Sequence, residues 1–464
     1  MSTQHPDLIA ENERTGSPKQ LFWIWFSLNI GVMGLVYGGI IVSYGLNFVQ
    51  SVIAALVGAA SFSLIGYLSL PGKLGKAPTF VLSRAAFGGK GNLIPAVLAW
   101  ICLIGWLSMG NVPTGIFSLN AIVTAAGFEV TTTTQIIGLI ALTVAIMALS
   151  LVKQETLVKA QTIFTYIFGA LTIVVLVILV PQTDWSALVN MPNGDWIGGV
   201  LPAISIIIAG SALSWAMVAS DYSCYQSPKS SNKSIFWTTT LASSIPLFVI
   251  MFLGILMNAT NPELVDSADP VAALALQMPK WMVIPYFFTA LGGIVPPAVI
   301  SLRSGRQALE ATNIRISERT SILFHGAIMI LLPSYVLFIN GNFLGSFQMF
   351  LGLVGIGLAA WTAVFMADYI ILRKKNGYDP ELITGEKNNG INVGNVSIWV
   401  GSVIVGFLFT TNGIIPAPFA KGIFEGNSLG VLLTFAVGFV ASCIYSSSQL
   451  KKQNVKKELT KKVG

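Results

Sequence analysis

Long apolar runs alternate with short polar segments along almost the whole chain. Crossing about 30 Å of hydrocarbon takes roughly 20 helical residues, and twelve of the runs reach or approach that length. The pattern therefore predicts an all-α polytopic membrane protein with twelve transmembrane helices. The predicted spans are 21–45, 50–70, 93–123, 134–152, 158–180, 197–222, 233–258, 281–303, 321–340, 343–372, 393–411 and 427–448.

Two segments between the spans carry shorter apolar stretches. "GKLGKAPTFVLSRAAFGGKG", residues 72–91, is basic and follows the second span, and we expect it to lie amphipathically at the membrane interface. "NPELVDSADPVAALALQMPK", residues 261–280, has an apolar stretch too short to cross the bilayer, which favours a surface or re-entrant helix.

The composition agrees with a membrane protein. The chain is 464 residues long, 54% hydrophobic and only 10% charged, with a mean hydropathy of +0.75, and soluble domains of this size do not have that balance. Its three cysteines have no paired spacing and it has two histidines, so we expect no disulfide framework, no metal centre and no cofactor. The polar N-terminus lacks the pattern of a cleaved signal peptide, and we expect it to form a cytoplasmic tail.

The basic residues predict the orientation. Lysine and arginine accumulate on the cytoplasmic side, and with the N-terminus inside, all except Lys280 and Lys421 fall in inner segments, which is 24 of the 26. We therefore expect a multi-pass protein of the cell membrane with both termini in the cytoplasm. The net charge of +7 is explained by contact of these segments with an anionic leaflet and requires no nucleic-acid partner.

Residues that weaken a helix recur near the predicted middle of several spans. The midplane lies roughly ten residues from a span end, which gives Gly31–Gly34 in the first span, Trp106 in the third, Gly210–Ser214 in the sixth and Val295–Pro297 in the eighth. Interruptions persist in lipid only where protein or a watery cavity satisfies the freed backbone groups. The alternative is that these glycines only permit close helix packing.

The interruptions in the first and sixth spans are five spans apart, as expected for two inverted repeats of five helices with a substrate held at the midplane. The predicted division of the chain is a cytoplasmic tail 1–20, a first repeat 21–180, a second repeat 197–372, a cytoplasmic loop 373–392, two additional helices 393–448 and a basic cytoplasmic tail 449–464.

Four stretches resemble the nucleobase-cation symport family, specifically its purine-cytosine permease group. They are "LFWIWFSLN" at 21–29, "GKAPTFVLSRAAFGGKGNLIPAVLAWICLIGW" at 75–106, "SWAMVASDYSCYQ" at 214–226 and "FMADYIILRKKNGYD" at 365–379. The resemblance implies a LeuT-type core of 5+5 inverted repeats with two extra C-terminal helices. It also implies a cation-coupled symporter that works by alternating access.

Within the family, a flat heterocycle is held between an aromatic residue of the third span and one of the sixth. Trp106 matches the first position and lies at the predicted midplane, and Trp215 is the candidate for the second; each could instead pack between helices. Ser27 and Asn29 are the first-span candidates for hydrogen bonds to the ring, although such side chains often bond their own backbone. Asn111 lies five residues after Trp106, whereas the family often has an amide four after. The complete set of predicted substrate-binding residues is Trp106, Trp215, Ser27, Asn29, Gly34, Ser211, Ala212, Asn111 and Ser301.

The eighth span departs from its relatives. Gly293, Pro296 and Pro297 stand where relatives carry asparagines or, in sodium-coupled members, hydroxyl residues. Sodium needs several oxygen ligands, so a site here would use backbone carbonyls near Gly34, Gly293, Pro296 and Pro297. Coupling to a proton, to sodium or to no ion therefore stays open.

Several charges lie near the predicted cytoplasmic ends of the spans. The bilayer midplane is about ten residues away, so a gate or an anchored loop is more economical here than a proton relay. The alternative is that they are solvated helix ends. The residues of this predicted inner network are Asp221, Asp368, Arg303, Arg306 and Glu310.

We predict a secondary carrier that imports a nucleobase, cytosine or a purine, in symport with a proton or sodium. Hydroxymethylpyrimidine, allantoin and hydantoin are alternative substrates. An integral-membrane enzyme would need a nucleophile, metal or acid–base pair within the spans, and a channel would need a continuous polar file; the sequence offers neither. The expected partners are the planar heterocycle, the coupling cation and the lipid bilayer, and we expect a monomer.

Overall fold

The computed structural model describes residues 8–152, 154–261, 267, 269–311, 317–384, 389–412 and 414–463. This part of the chain is helical, and its one isolated β-bridge joins Gly16 to Gln226. The prediction of an all-α fold is confirmed.

The helices of the first half follow the predicted spans 21–45 to 158–180, with one additional short helix between the second and third spans. Their bounds are α1 Pro18–Asn29, α2 Met33–Ser43, α3 Phe48–Gly75, α4 Thr79–Phe87, α5 Leu93–Ala125, α6 Thr132–Leu149 and α7 Gln154–Leu179.

The helices of the second half correspond to the remaining predicted spans, with one additional short helix between the seventh and eighth spans. Their bounds are α8 Trp196–Ala216, α9 Asn232–Thr260, α10 Pro270–Ala275, α11 Lys280–Ala311, α12 Glu318–Asn340, α13 Phe343–Arg373, α14 Val393–Leu408 and α15 Leu429–Val463.

Ten helices in the described ranges are long and apolar enough to cross a membrane, and the bent pair α1 and α2 forms one further span. The helix α14 coincides with the predicted span 393–411 but has only 16 residues, which corresponds to about 24 Å. The chain is therefore a multi-pass membrane protein whose helices match the predicted segments.

The first span is interrupted near its predicted middle. The axes of α1 and α2 differ by 58°, and Ile30 between them has an extended backbone with φ −103° and ψ 106°. Gly34 and Leu35 then donate to the carbonyls of Gly31 and Val32, both at 3.0 Å, so α2 begins with tight turns. The first N–H groups of α2 have no partner within the helix.

The sixth span differs from the prediction in form. At the predicted break, α8 keeps turning but widens into a π segment, Ala209–Leu213. The helix ends at Ala216, six residues before the predicted end, and 217–222 are turns. A π turn lets individual carbonyls leave the regular hydrogen-bond ladder without breaking the helix.

The prediction that residues 72–91 lie at the membrane interface is wrong. The helix α4 in this segment is buried in the protein, with Thr79, Leu82 and Ser83 at 0% exposure. The indole of Trp361 in α13 donates to Ser83 Oγ at 3.1 Å, and Arg373 donates to the carbonyl of Ala85 at 3.0 Å. Burial of α4 is possible because side chains of neighbouring helices form hydrogen bonds with its polar groups.

The helix α2 packs closely against α9. A Cβ on Gly38 would lie 2.6 Å from backbone atoms of Gly254 and Ile255, and one on Gly254 would lie 2.5 Å from the carbonyl oxygen of Leu35. These two glycines therefore permit a backbone-to-backbone approach, and they fix the second half of the interrupted span.

The connection 261–280 contains the six-residue helix α10, which is consistent with the predicted surface or re-entrant helix. Residues 262–266 and 268 of this connection lie outside the described residues. Asp269 caps α10 by accepting from the Ala272 amide at 2.8 Å. Its other carboxylate oxygen accepts from the side chain of Asn120 in α5 at 2.7 Å, so Asp269 ties this connection to the third span.

Candidate functional site

A cavity of about 180 Å³ lies where the interrupted helices meet. Its wall consists of Ser27, Leu28, Asn29, Ile30, Gly31, Val32, Met33, Gly34, Tyr37, Cys102, Leu103, Trp106, Asn111, Thr114, Gly210, Ser211, Ser214, Trp215, Met217, Val218, Leu247, Gly293, Ile294, Pro297 and Ser301.

Most of the predicted substrate and cation residues line this one cavity. The exceptions are Ala212, which is fully buried, and Pro296; neither belongs to the wall. The structure brings together Ser27, Asn29, Gly34, Trp106, Asn111, Ser211, Trp215, Gly293, Pro297 and Ser301. These residues come from four spans and are brought together only by the packing of the helices.

The indole of Trp106 is fixed by neighbours on three sides. Its Nε1 donates to Ser214 Oγ at 3.0 Å, and the rings of Phe347 and Phe350 stand edgewise to it at 5.4 and 6.3 Å. Gly110 lies against its benzo ring, because a Cβ there would be 2.9 Å from Cε3. The rest of the ring contributes to the cavity wall, where it presents an aromatic surface in one orientation.

Trp215 lines the same cavity from α8. It makes an edge contact of 6.0 Å with Trp25 of α1, and Trp25 is fully buried and also contacts Tyr222 at 5.8 Å. The second indole is therefore supported from behind by an aromatic cluster that links α1 to the end of α8.

The third span contains a π segment, Trp106–Asn111. This segment explains how an asparagine five residues after Trp106, and not four, can face the cavity. In a π turn, residue i+5 takes the direction that residue i+4 has in an α-helix. Asn111 consequently reaches the cavity wall, while Gly110 packs under the indole. The side-chain amide of Asn111 has no hydrogen bond to the described residues.

Ser27 and Asn29 line the cavity but also bond their own helix. Ser27 Oγ donates to the Ile24 carbonyl at 2.9 Å, and Asn29 Nδ2 donates to the Trp25 carbonyl at 2.9 Å. The Ser27 hydroxyl and one N–H of the Asn29 amide are therefore occupied, while the second amide N–H of Asn29 and the oxygens of both side chains stay available.

Sequence reasoning missed Tyr37, Thr114 and Ser214 in the wall. Tyr37 donates to the Gly210 carbonyl at 2.7 Å, and a Cβ on Gly210 would lie 2.4 Å from the phenol oxygen. The available signal was spacing, because Tyr37 lies about one helical turn after Gly34 and Thr114 two turns after Trp106. The hydrogen bond from Tyr37 to Gly210 in α8 could not be read from spacing.

The helix α11 passes the cavity without a break despite its paired prolines. Because Pro296 and Pro297 lack an N–H, the carbonyls of Gly292 and Gly293 lose their usual helical partners. An added Cβ on Gly293 would meet nothing within 4 Å, so the carbonyl-rich turn borders open space. Backbone oxygens are available here, as the sequence suggested, but no side-chain hydroxyl accompanies them at these three positions.

Asp221 anchors a helix. It is half-buried, and one carboxylate oxygen accepts from the amide and the hydroxyl of Thr79, both at 2.8 Å. This places a negative charge at the start of α4, where the helix dipole favours it. Burial raises the pKa of the Asp221 carboxyl, and the hydrogen bonds from Thr79 partly oppose that change. No described basic residue forms an ion pair with it.

The other predicted gate residues occupy separate places, so the described residues do not form the single inner network that was expected. Asp368 forms a buried bidentate ion pair with Arg373, at 3.0 and 3.3 Å. Arg303 donates to the carbonyls of Ser150 and Val152. Arg306 lines a smaller cavity with Arg303. The side chain of Glu310 lies outside the described residues.

Comparisons with known proteins agree with this architecture. A family model described as "permease for cytosine/purines, uracil, thiamine, allantoin" matches residues 8–431. The chain is 25% identical over 462 residues to a putative purine-cytosine permease of Bacillus subtilis, YxlA, which covers 96% of both chains. It is also 25% identical over 324 residues to the purine-cytosine permease FCY2 of Saccharomyces cerevisiae, which covers 63% of this chain and 52% of that one.

Solved structures share the fold. The chain is similar to the nucleobase-cation-symport-1 family transporter Mhp1, solved in a closed conformation with bromovinylhydantoin bound, with a TM-score of 0.73 and 16% identity over 97% of this chain and 96% of that one. A Na⁺-coupled sialic acid symporter gives a TM-score of 0.58 at 12% identity, over 96% and 92%. Identities this low establish the fold alone.

Proposed function

Since the chain belongs to the family of permeases for cytosine/purines, uracil, thiamine and allantoin, we propose that it imports a nucleobase, cytosine or a purine, by alternating access. It is a membrane transporter and not an enzyme. The observation that carries the proposal is the cavity at the meeting point of two interrupted spans, walled by Trp106 and Trp215. Planar bases stack on aromatic rings with little dependence on their substituents.

In this proposal Trp106 and Trp215 hold the ring by its faces and the polar wall residues contact its edges. Asn111 supports the assignment most directly, because its amide has no partner among the described residues and lines the cavity. Ser27, Asn29, Ser211 and Ser301 contribute oxygens at other edges, and Gly34 leaves room beside the break. Ala212 supports the wall from behind.

Coupling to a proton or to sodium completes the proposed cycle. Sodium would use backbone oxygens near Gly34, Gly293 and Pro297, with Pro296 acting only by freeing a carbonyl. A proton would need an ionisable group that changes surroundings during transport, and the half-buried carboxyl of Asp221, in the turns after α8, is the candidate. Uptake with sodium replaced by choline, and separately with a protonophore, distinguishes the two ions.

The repeat relationship and the orientation also belong to this proposal. The helices α1 to α7 and α8 to α13 form the two inverted repeats, with α14 and α15 as the extra pair. Both termini lie in the cytoplasm, where Asp221, Asp368, Arg303 and Arg306 hold the inner ends of the helices. The bound heterocycle and coupling cation are the partners, and the functional unit is a monomer in the bilayer.

The test is uptake of labelled bases into cells that lack their own nucleobase permeases. Accumulation of cytosine or a purine above vector-only cells is expected. Uptake of hydroxymethylpyrimidine, allantoin or hydantoin in place of every base would assign the chain to a related heterocycle. If none of these compounds accumulates although the protein is present in the membrane, the proposal fails.

A further inference from the structure

The wall of the cavity carries no formal charge. None of its residues is aspartate, glutamate, lysine, arginine or histidine. Two charged residues come within three positions of a wall residue in the sequence, and both have partners elsewhere. Asp221 accepts from Thr79, and Arg303 donates to the carbonyls of Ser150 and Val152.

A charged ring that entered this cavity would lose its hydration and gain no counter-charge, which is costly. A bare metal cation differs, because a tight shell of carbonyl oxygens can enclose it. The wall therefore favours an uncharged heterocycle.

Most hydrogen-bond donors of the wall are already used inside the protein. Hydroxyl groups that donate to a carbonyl of their own helix keep lone pairs that can still accept, and the same holds for the amide oxygen of Asn29. The side chains whose donors bond protein oxygens are Ser27, Asn29, Tyr37, Trp106, Thr114, Ser211 and Ser214.

Few donors remain for a ligand. Within the described part of the chain, the amide of Asn111, the indole N–H of Trp215 and the hydroxyl of Ser301 have no protein partner, and Asn29 keeps the second N–H of its amide. At the break, the N–H groups of Gly34 and Leu35 already donate to the carbonyls of Gly31 and Val32. Donors are thus confined to a few positions, and among the polar side chains of this mostly apolar wall the free acceptors are more numerous.

We infer that the cavity selects an uncharged planar base that bears an exocyclic amino group over its oxo counterpart and over a charged ring. The inference rests on the proposed transport function and narrows its substrate. An amino group presents two N–H donors where an oxo group presents only lone pairs, and although the neighbouring ring nitrogen of the amino base lacks an N–H, the base still presents one more donor to the wall. Lone pairs placed against acceptors stay unpaired after they have lost water.

Matched pairs of bases test this selection. Competition is measured against uptake of labelled cytosine and of labelled adenine in proteoliposomes that contain the full chain. Cytosine should compete better than uracil, and adenine better than hypoxanthine, by roughly fivefold to a hundredfold. Thiamine, a permanently charged ring, should not compete at concentrations at which cytosine competes fully.

A variant tests the acceptor wall itself. Thr114→Val keeps the shape of the side chain and removes one acceptor of the wall, so it should reduce the preference for adenine over hypoxanthine several-fold. Thr434→Val is the matched control, because Thr434 likewise donates to the carbonyl four residues before it, at 2.7 Å, compared with 2.8 Å for Thr114, and lies outside the cavity wall. The control should keep the wild-type preference.

Two outcomes overturn the inference. One is equal competition within both pairs of bases, and the other is full competition by thiamine. Either result would leave the carrier assignment intact, because labelled base would still be taken up. If the wild-type protein takes up none of the labelled compounds, the proposed function has failed, and the inference falls with it.

Discussion

At the scale of single residues, the site depends on how each aromatic ring is held. A buried indole needs a partner for its N–H, and Ser214 supplies it to Trp106 at 3.0 Å while donating its own proton to the Ala209 carbonyl at 2.8 Å. Because Ala209 begins the π segment of α8, the orientation of a ring on the third span is set by the interruption of the sixth.

Replacing Trp106 by alanine removes one stacking surface. Base–aromatic stacking contributes about 1–3 kcal/mol, so Trp106→Ala should raise the apparent KM for the transported base by roughly fivefold to a hundredfold. The measurement is concentration-dependent uptake, corrected for protein in the membrane. Trp237→Ala is the control, since Trp237 is 49% exposed on α9 and away from the cavity. Equal effects of the two variants would contradict a stacking role for Trp106.

Asp269 predicts a pH dependence of stability. Burial is the main cause that raises the pKa of this carboxyl to about 7, from an ordinary value of 3.8. Between those two values the folded protein holds one more proton than the unfolded chain, so stability falls as pH rises from about 4 to 7. Thermal unfolding of the purified protein should therefore occur at lower temperature at pH 8 than at pH 5.

Asp269→Asn should remove most of that difference. Asp184→Asn is the control, because Asp184 also accepts a backbone hydrogen bond at the start of a short helix but is an exposed contact. The interpretation is wrong if wild type and Asp269→Asn show the same change in unfolding temperature between the two pH values.

At the scale of helices, the interruptions decide which side chains meet. The first span breaks with a 58° bend, whereas the third and sixth keep their direction and widen into π segments. A break exposes backbone groups, and a π segment shifts the register of the side chains that follow it by about one residue. Both devices place polar atoms at the centre of the protein without lipid contact.

The register of the third span can be tested by deletion. Removing Gly110 takes one residue out of the π segment, which should restore a regular α-helix and leave the asparagine four residues after Trp106, still directed at the cavity. We expect this deletion to retain base uptake. Deleting Ala99, in the regular part of the same helix before Trp106, would rotate Trp106 and all later residues by about 100° relative to the start of the helix and should abolish uptake. Equal loss in both deletions would contradict the register argument.

At the scale of the whole molecule, one end of the bundle is held by specific polar contacts around α4. Asp221 binds the start of α4, Arg373 binds the Ala85 carbonyl near its end, and Asn395 of α14 binds the Ala86 carbonyl. This basic end is the one that we propose faces the cytoplasm.

Cysteine labelling tests the orientation. In intact cells, Glu129→Cys on the opposite end, beside the exposed Phe128, should react with a membrane-impermeant maleimide. Ser230→Cys, at the basic end where Lys73 contacts its carbonyl, should react only after the membrane is permeabilised. The reverse pattern would show that the orientation is inverted. The native Cys102 and Cys224 are buried and should contribute little background, and the partly exposed Cys443 is first replaced by serine.

The sequence predicted the segments well because the requirement for about 20 apolar residues per span is local. Depth counting also found the cavity residues Trp106 and Gly34, since depth follows from position within a span. Hydropathy gave the wrong location for residues 72–91, because the same small apolar residues suit a lipid interface and a protein interior equally. Depth counting failed for the sixth span, where glycine and serine indicated a break but not the form that the break takes.

By itself, therefore, the sequence determined that this is a multi-pass membrane protein, where most of its helices lie, which family it resembles and how far along its span each candidate binding residue lies. All of these follow from hydropathy, spacing and local motifs. Tertiary structure alone decided which polar groups are already occupied. Ser214 accepts from Trp106 and Tyr37 donates to Gly210 only because distant helices meet, and the acceptors that remain are the basis of the substrate selection that we infer. Hydrogen-bond satisfaction is a property of contacts between spans, and no periodicity within one span encodes it.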